Sequence, residues 1–258
     1  MSRSSEQIEA LKKRVAKVTS WYHAIDLGDG VMTPGVFQVK SFRPEYGIPD
    51  QLDGQRVLDV GASSGFFACE MDRRGAAEVV ALDLPGWGDH DWTPRYRADF
   101  ESKSAEERAY IDDITMRAGF DLVVESMGCK NVRKHEAQIY ELSPETVGMF
   151  DYVFCGSMLM HVRDPILGIQ AMRSVLKPTG RMTVTIAMTL PDTDDSLARF
   201  VGDWDQCNWW QMSPRCLDRI LKCCDLEVLD ERNTFTLTNV DGSFQDPTYV
   251  VHARPRQR

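Results

Sequence analysis

The stretch Arg56-Val-Leu-Asp-Val-Gly-Ala-Ser-Ser-Gly-Phe-Phe-Ala-Cys-Glu70, followed by Val79-Val-Ala-Leu-Asp83, decides the fold of this chain. A short β-branched run breaks into a glycine-rich turn, a helix-compatible segment follows, and a second apolar run ends in a carboxylate. Gly61 and Gly65 let the backbone approach a ligand closely, and the next helix presents N–H groups. Asp83, at a strand end, can accept hydrogen bonds from both hydroxyls of a ribose. The pattern is typical of a site for an adenine nucleoside.

A dinucleotide fits this turn poorly. The pyrophosphate fingerprint is G-x-G-x-x-G, and Ser63 and Phe66 stand at its second and third glycine positions. The close backbone approach that pyrophosphate requires is therefore missing. An ordinary strand-to-helix turn also explains the glycines, but the paired carboxylate favours a nucleoside without phosphates.

These residues resemble the first two motifs of the class I S-adenosylmethionine-dependent methyltransferases. The first motif of that family has the pattern hydrophobic-L-D-hydrophobic-G-x-x-x-G and the second ends in an acidic residue, which Asp59, Gly61, Gly65 and Asp83 match. The resemblance implies S-adenosylmethionine as the cofactor. It implies cofactor contacts at the ends of the first, second and fourth strands and just before the fourth, from Asp59, Gly61, Ala62, Ser63, Gly65, Phe66, Asp83, Leu84, Gln138, Ile139, Gly156 and Ser157.

Strands and helices alternate from residue 56, which predicts right-handed crossovers and a largely parallel sheet. Two late segments, 226–237 and 247–253, are rich in β-formers with no helix between them, so they predict an antiparallel pair. Such a pair is a feature of the resembling family and not of NAD-binding domains. We therefore expect an α/β, Rossmann-like class I methyltransferase fold, with a doubly wound, mostly parallel seven-stranded sheet and a C-terminal antiparallel hairpin.

The predicted organisation is an N-terminal helix and a cofactor- or substrate-covering loop over residues 1–50, followed by the S-adenosylmethionine-binding domain over residues 51–258. Prolines and glycines interrupt residues 84–110, which predicts an irregular excursion over the cofactor edge. A helix from about Ala105 to Met127 and a fifth strand from Met182 to Ala187 are expected after it.

Composition narrows the class of partner. The chain has 258 residues, and 39 acidic against 30 basic residues give a net charge of −9, which disfavours nucleic acid. Seven cysteines occur without CxxC spacing, so a reducing cytoplasm is the simplest interpretation. No signal-peptide pattern and no apolar run near 18 residues is present, which predicts neither secretion nor a membrane span.

Two histidines are candidate bases. His161 follows the fourth strand and is expected near the transferring methyl group, where an imidazole could accept the proton that an oxygen or nitrogen nucleophile loses. A structural role at the start of the next helix is the alternative. His23 competes for the task, because the N-terminal loop could bring Tyr22, His23 and Asp26 to the substrate.

Aromatic residues are candidates for a lid over the substrate. Trp209 and Trp210 precede a helix that starts near Ser213, and aromatic rings attract a cationic ligand; core packing is the alternative for at least one of them. His90 with Asp89 suggests metal ligation, but no second histidine stands at a suitable spacing, so no metal is expected.

The fourth-strand segment and the sequence Asn208-Trp-Trp-Gln-Met-Ser-Pro214 resemble the tRNA wobble-uridine carboxymethyltransferase-like branch, over roughly residues 50–255. Carboxymethyl-transferring members of that branch have tyrosine before the histidine and arginine before the Asn-aromatic-aromatic segment. Met160 and Cys207 stand in those places. Neither can neutralise an added carboxylate, so the departure favours the ordinary methyl donor.

The Trp-Tyr-His and Thr-Pro-Gly pattern of the N-terminal segment resembles small-molecule methyltransferases, often of specialised metabolism. We therefore expect an enzyme that methylates a small-molecule acceptor. The alternatives are a tRNA wobble-uridine-modifying methyl or carboxymethyl transferase and a noncatalytic adenosyl- or RNA-binding partner. The acceptor atom (carbon, nitrogen or oxygen) and a homodimeric assembly are left open.

Overall fold

The computed structural model describes residues 3–113, 118–187, 189–202 and 207–257. The strands are β1 (Arg56–Val60), β2 (Glu78–Asp83), β3 (Val132–Glu136), β4 (Phe150–Gly156), β5 (Leu176–Ile186), β6 (Ala198–Phe200), β7 (Trp210–Met212), β8 (Leu226–Thr238) and β9 (Gln245–Pro255). The helices are α1 (Ser5–Lys17), α2 (Val39–Phe42), α3 (Phe66–Arg73), α4 (Pro94–Ser102), α5 (Ala105–Asp113), α6 (Ala118–Met127), α7 (Pro144–Val147), α8 (Pro165–Ser174) and α9 (Pro214–Cys223).

One seven-stranded sheet organises the molecule, in the order β3-β2-β1-β4-β5-β9-β8. The first five strands pair in parallel, whereas β9 is antiparallel to both β5 and β8. β6 and β7 form a separate two-stranded sheet. The predicted doubly wound sheet with a C-terminal antiparallel pair is confirmed.

Apolar layers cover both faces of the sheet. Neighbouring residues on β1 show this. Leu58 belongs to the same buried apolar cluster as Ile169 of α8 and Leu217 of α9, whereas Val57 belongs to the cluster that contains Phe67 of α3. Burial on both faces explains why the central strands read as continuous apolar runs. It also leaves the carboxyl ends of the parallel strands as the place where a ligand can approach.

The N-terminal segment belongs to the second of these layers. Leu11 and Val15 of α1 are buried, as are Ile25 and Val31 in the loop that follows. The hydroxyl of Thr33 donates to the carbonyl of His23 at 2.7 Å and so closes this loop on itself. The segment is an ordered cover on the α3 side of the sheet.

Three element predictions need adjustment. Residues 84–110 contain α4, because Thr93 accepts a hydrogen bond from the N–H of Tyr96 as N-cap and Pro94 occupies the first turn. The predicted helix over 105–127 corresponds to α5 and α6, and residues 114–117 between them lie outside the described ranges. β5 begins at Leu176, because a shift in its register with β4 accommodates the residues around Pro178.

No helix within the described ranges combines the length and the apolar character needed to cross a bilayer.

Candidate active site

A cavity of about 330 Å³ opens at the carboxyl ends of β1, β2 and β4. This is where parallel α/β sheets bind ligands, and the volume falls in the usual range for small-molecule sites. Its wall is formed by Tyr22, Val60, Gly61, Ser63, Leu82, Asp83, Leu84, Trp87, His90, Asp91, Ala137, Gln138, Ile139, Gly156, Ser157, Met158, His161, Val162 and Cys207.

The turn after β1 is tied to the end of β2 through Asp83. Its carboxylate accepts hydrogen bonds from the N–H of Ser63 at 2.5 Å and from the N–H of Leu84 at 2.8 Å. Burial raises the pKa of Asp83, and these two donors together with Lys134 oppose the rise. Gly61 has φ +78°, and a Cβ there would lie 2.8 Å from Cγ of Met158, so the turn requires glycine.

Four residues of the same motif lie behind the cavity wall. Asp59, Ala62 and Phe66 are buried on the α3 side, and a Cβ on Gly65 would lie 2.9 Å from the ring of Phe120. Burial, with the nearby charge of Asp83, raises the pKa of Asp59 to about 8. Its Oδ2 has no hydrogen-bond partner among the described residues. These residues shape the turn that presents Gly61 and Ser63.

The remaining predicted cofactor residues line the cavity. Ile139 and Leu84 provide apolar wall, and the amide of Gln138 donates to the carbonyl of Asp89 in the segment opposite. Ser157 has a positive φ of 52°, and its N–H donates to the hydroxyl of Thr185 at 2.8 Å. The structure therefore brings Leu84, Gln138, Ile139, Gly156 and Ser157 together around one space.

His161 lines the same cavity, at the end of a 3₁₀ turn that spans Leu159–His161. Its Nδ1 lies 2.8 Å from the carbonyl oxygen of Cys207. A carbonyl only accepts, so in the neutral ring Nδ1 carries the proton and Nε2 carries the lone pair. This is the tautomer that a base requires.

The other candidate base lies elsewhere. His23 is buried behind the wall, with ring centroids 4.8 Å from Tyr22, 6.0 Å from Phe66 and 5.9 Å from Phe67. Burial lowers its pKa to about 4. Asp26 is exposed and accepts from the N–H of Gly28 at 2.9 Å. Of the N-terminal residues predicted at the substrate, Tyr22 lines the cavity.

The first part of the segment predicted as an excursion over the cofactor edge roofs the cavity. Residues 84–92, hereafter the roof segment, bring Trp87, His90 and Asp91 to the wall. The carboxylate of Asp91 accepts from the hydroxyl of Tyr140 at 2.8 Å and from the N–H of Arg163 at 2.7 Å. The prolines and glycines of this segment predicted an excursion over the cofactor edge, but Leu84 was its only residue named as a cofactor contact.

Trp209 contacts the roof segment and Trp210 contacts Arg163, and neither residue lines the cavity. The indole N–H of Trp209 donates to the backbone carbonyl of Asp91 at 2.6 Å. The indole N–H of Trp210 donates to the carbonyl of Arg163 at 3.0 Å. Trp209 is thus hydrogen-bonded to the roof segment, and the lid over the substrate stays a prediction for both residues.

A second cavity of about 480 Å³ lies on the outer side of the roof segment. This outer cavity shares His90, Asp91 and Gln138 with the cavity of about 330 Å³, hereafter the inner cavity. Arg97 and Tyr140 are among its other lining residues. The described part of the chain contains no group of three or more His, Cys, Asp or Glu side chains arranged to hold a metal.

Comparisons with known proteins agree with this geometry. A family model described as a methyltransferase domain matches residues 38–231. A ubiquinone biosynthesis O-methyltransferase of Xanthomonas euvesicatoria pv. vesicatoria (strain 85-10) is 29% identical over 182 residues, which cover 70% of this chain and 62% of that protein. The same enzyme of Acinetobacter baumannii (strain AYE) is 28% identical over 131 residues, which cover 51% and 43%. The matched region thus spans less than two thirds of either relative.

Solved structures share the fold. The N-terminal domain of EvdMO1, crystallised in the presence of SAH and D-fucose, superposes with a TM-score of 0.59 at 18% identity, over 98% of this chain and 100% of that chain. The 1,6-didemethyltoxoflavin-N1-methyltransferase of Burkholderia thailandensis, with bound 1,6-didemethyltoxoflavin and S-adenosylhomocysteine, superposes with a TM-score of 0.55 at 16% identity, over 100% and 93%.

Proposed function

This chain belongs to the methyltransferase domain family, and from that premise we propose that it transfers a methyl group from S-adenosylmethionine to a small-molecule acceptor. The observation that carries the proposal is the joint placement of the Gly61 turn, Asp83 and His161 around one cavity.

The residues present suit an adenosyl cofactor. Asp83 keeps acceptor capacity at the cavity wall beside its two backbone donors, which suits ribose hydroxyls. Leu84 and Ile139 offer apolar surface for a base. S-adenosylmethionine, when bound, supplies a methyl group on a sulfonium, which a nucleophile takes while the electron pair of the S–C bond stays on sulfur.

His161 is proposed as the group that receives the acceptor's proton. Because Nδ1 is committed to the Cys207 carbonyl, the ring presents its Nε2 lone pair as the basic site. The carbonyl also stabilises the imidazolium that forms when Nε2 gains a proton, because Nδ1 keeps its acceptor throughout. The contact with the Cys207 carbonyl supports the tautomer that this role requires.

Several observations support a small acceptor and a plain methyl group. The roof segment encloses a space of small-molecule size, and the net charge of −9 disfavours a polyanion. No lysine or arginine of the described residues lines the inner cavity, so nothing there neutralises a carboxylated cofactor. A named relative and a named structural neighbour act on small molecules, which also supports a place in small-molecule biosynthesis.

The test incubates the protein and isotopically labelled S-adenosylmethionine with extracts of small metabolites and searches for labelled products by mass spectrometry. A labelled product that disappears with Asp83→Ala is expected. Binding of S-adenosylhomocysteine without any labelled product would favour the noncatalytic alternative. A labelled tRNA fraction in a parallel incubation would favour the wobble-uridine alternative.

A further inference from the structure

Three short segments lie side by side next to the inner cavity. His23 pairs in parallel with Phe37, and Phe37 pairs in the antiparallel sense with Asn239, in the turn between β8 and β9. The N–H of Val240 donates to the carbonyl of Val36 at 2.8 Å. The N-terminal segment and the end of the β8–β9 hairpin thus form one small ribbon.

The two faces of this ribbon differ in exposure. His23 and Phe37 are buried on the inner face, whereas Tyr22 and Val36, which precede them in the chain, are 46% and 50% exposed. Val240 lies opposite Val36 and is 62% exposed. Neighbouring side chains of a paired segment emerge on opposite faces, so Tyr22, Val36 and Val240 share the outer face. These three residues are hereafter the apolar strip.

Tyr22 joins the apolar strip to the inner cavity, because it also lines the cavity wall. Burial and the nearby charge of Asp246 raise the pKa of Tyr22 to about 12, so the hydroxyl is at the enclosed end of the side chain. The exposed part of Tyr22 is therefore mainly ring. Neighbouring strands lie about 4.8 Å apart, so the strip extends roughly 10 Å from Tyr22 to Val240.

The apolar strip begins at the end of the inner cavity that the Gly61 turn forms. The ring of His23, the residue after Tyr22, lies 6.0 Å from the ring of Phe66. Phe66 is the first residue of α3, which follows that turn. The ribbon is thus packed against the start of α3, beside the turn.

An acceptor needs space beyond the inner cavity. Its volume of about 330 Å³ is at the low end of the range for small-molecule sites, and an adenosyl cofactor occupies much of such a space. The outer cavity is lined by the charged side chains of Asp91, Arg97 and Arg163, which suit polar groups. The apolar strip, in contrast, suits an apolar group.

We propose that the apolar strip binds an apolar substituent of the methyl acceptor, while the reacting atom of the acceptor lies in the inner cavity. The inference rests on the proposed function and deepens it, since it assigns the acceptor to small molecules with an alkyl chain or an unsubstituted aryl group of up to roughly 10 Å. Removal of this group and of the strip from water stabilises the complex.

Size and charge favour this occupant over two others. Three side chains offer far less surface than the about 800 Å² that a stable protein interface buries on each partner. Asp241, which follows Val240, is exposed, and the chain has a net charge of −9. An anionic lipid surface attracts basic segments, so this acidic edge disfavours a membrane. Continuity with the cavity wall through Tyr22 favours a ligand of that cavity.

The first test uses 1-butanol, 1-hexanol and 1-octanol as probes and needs no identified acceptor. Each is titrated into protein with ¹³C-methyl-labelled valine that is saturated with S-adenosylhomocysteine, and Val36→Ile and Val240→Ile assign the two signals of interest. Both signals should shift, and Kd should fall about twofold to fourfold per added methylene. A Kd independent of chain length, or shifts confined to other valines, would overturn the proposal.

The second test changes the strip at the end farthest from the cavity wall. Val240→Ser should raise the Kd for 1-octanol about threefold or more, and Val240→Ile should keep it within about twofold. Ile166→Ser is the matched control, because Ile166 is an exposed apolar residue of α8, on the other side of the sheet. An equal loss in Val240→Ser and Ile166→Ser would contradict the assignment.

The third test uses the acceptor that the labelling screen identifies. Val240→Ser should raise the KM for this acceptor about threefold or more and leave kcat and the affinity for S-adenosylhomocysteine within about twofold. An acceptor without an apolar substituent would overturn the inference. A dimer that Val240→Ser dissociates in sedimentation, or binding to phosphatidylserine vesicles that Val240→Ser abolishes, would also overturn it. Failure of the wild-type protein to bind S-adenosylhomocysteine in calorimetry would instead overturn the proposed function.

Discussion

The backbone N–H of Ser63 donates to Oδ2 of Asp83 at 2.5 Å and thereby joins the turn after β1 to the end of β2. Asp59, one strand away and on the opposite side of the wall, has an Oδ2 without a partner among the described residues. The two acidic residues of the motif pair therefore differ in position. Asp83 lines the cavity, and Asp59 is a buried carboxyl outside its wall.

Asp83→Ala should weaken binding of S-adenosylhomocysteine by about tenfold or more, because a charged acceptor at the cavity wall is lost. Calorimetry measures this change. Asp59→Asn should leave the same affinity within about twofold, because its side chain lies outside the wall. Unchanged affinity in the Asp83→Ala variant would show that Asp83 does not contact the ligand.

Asp59 should make the stability of the protein depend on pH. Its pKa is raised to about 8 in the folded state, against about 3.9 for an unfolded aspartate. Between these values the folded state holds a proton that the unfolded state has lost, so the free energy of unfolding falls as pH rises. The asparagine of the Asp59→Asn variant cannot ionise. The free energy of unfolding of this variant, relative to that of the wild type, should therefore increase by up to about 1.4 kcal/mol per pH unit between about pH 5 and pH 8.

Urea denaturation of both proteins across this range measures the difference. The pKa values of His23 and His90 are lowered in the folded state. Both histidines therefore increase the free energy of unfolding as pH rises through the lower part of this range. Both proteins contain these histidines, so their effect cancels in the comparison. A difference in unfolding free energy that stays constant with pH would show that Asp59 is not the carboxyl that holds the proton.

His161→Asn should lower kcat by about a hundredfold or more while the affinity for S-adenosylhomocysteine stays within about twofold. The amide of asparagine can still donate to the Cys207 carbonyl, so the variant removes the basic nitrogen and keeps the local hydrogen bond. His23→Phe should change kcat by less than about threefold, because the ring packs among aromatic residues behind the wall. A larger loss of kcat in His23→Phe than in His161→Asn would indicate that His23 is the base.

The sequence predicted those parts of the candidate site whose residues lie close together in the chain. The Gly61 turn and the carboxylate of Asp83 follow from one strand-turn-helix and the next strand, so local pattern was enough to place them. The fold and the methyltransferase family were predicted on the same basis and are confirmed.

The sequence predicted that the roof segment passes over the cofactor edge, but not the contacts that hold it there, because those contacts join residues far apart in the chain. Asp91 is 49 residues from Tyr140 and 118 from Trp209, and these contacts bring His90 to the cavity. No periodicity encodes such pairings. In the sequence, His90 suggested only an incomplete metal motif, and Trp209 suggested direct contact with substrate.

The indole of Trp209 should control how often the roof segment opens. Its N–H donates to the Asp91 carbonyl at 2.6 Å, and Trp209→Phe removes this hydrogen bond while it keeps an aromatic ring in place. Loss of one neutral hydrogen bond should raise the open population about threefold to tenfold. Hydrogen exchange followed by mass spectrometry should therefore show faster exchange across residues 84–92. S-adenosylhomocysteine should also dissociate faster, because the roof covers the cavity.

Trp210→Phe is the matched variant, because its indole N–H donates to Arg163 and not to the roof segment. Exchange should rise near residue 163 in that protein and stay close to wild type across residues 84–92. Equal exchange of the roof segment in both variants would mean that the carboxylate of Asp91, through Tyr140 and the N–H of Arg163, holds the roof without help from Trp209. Asp91→Ala would then be the variant that opens it, since it removes both of those contacts and leaves the Trp209 bond to the backbone intact.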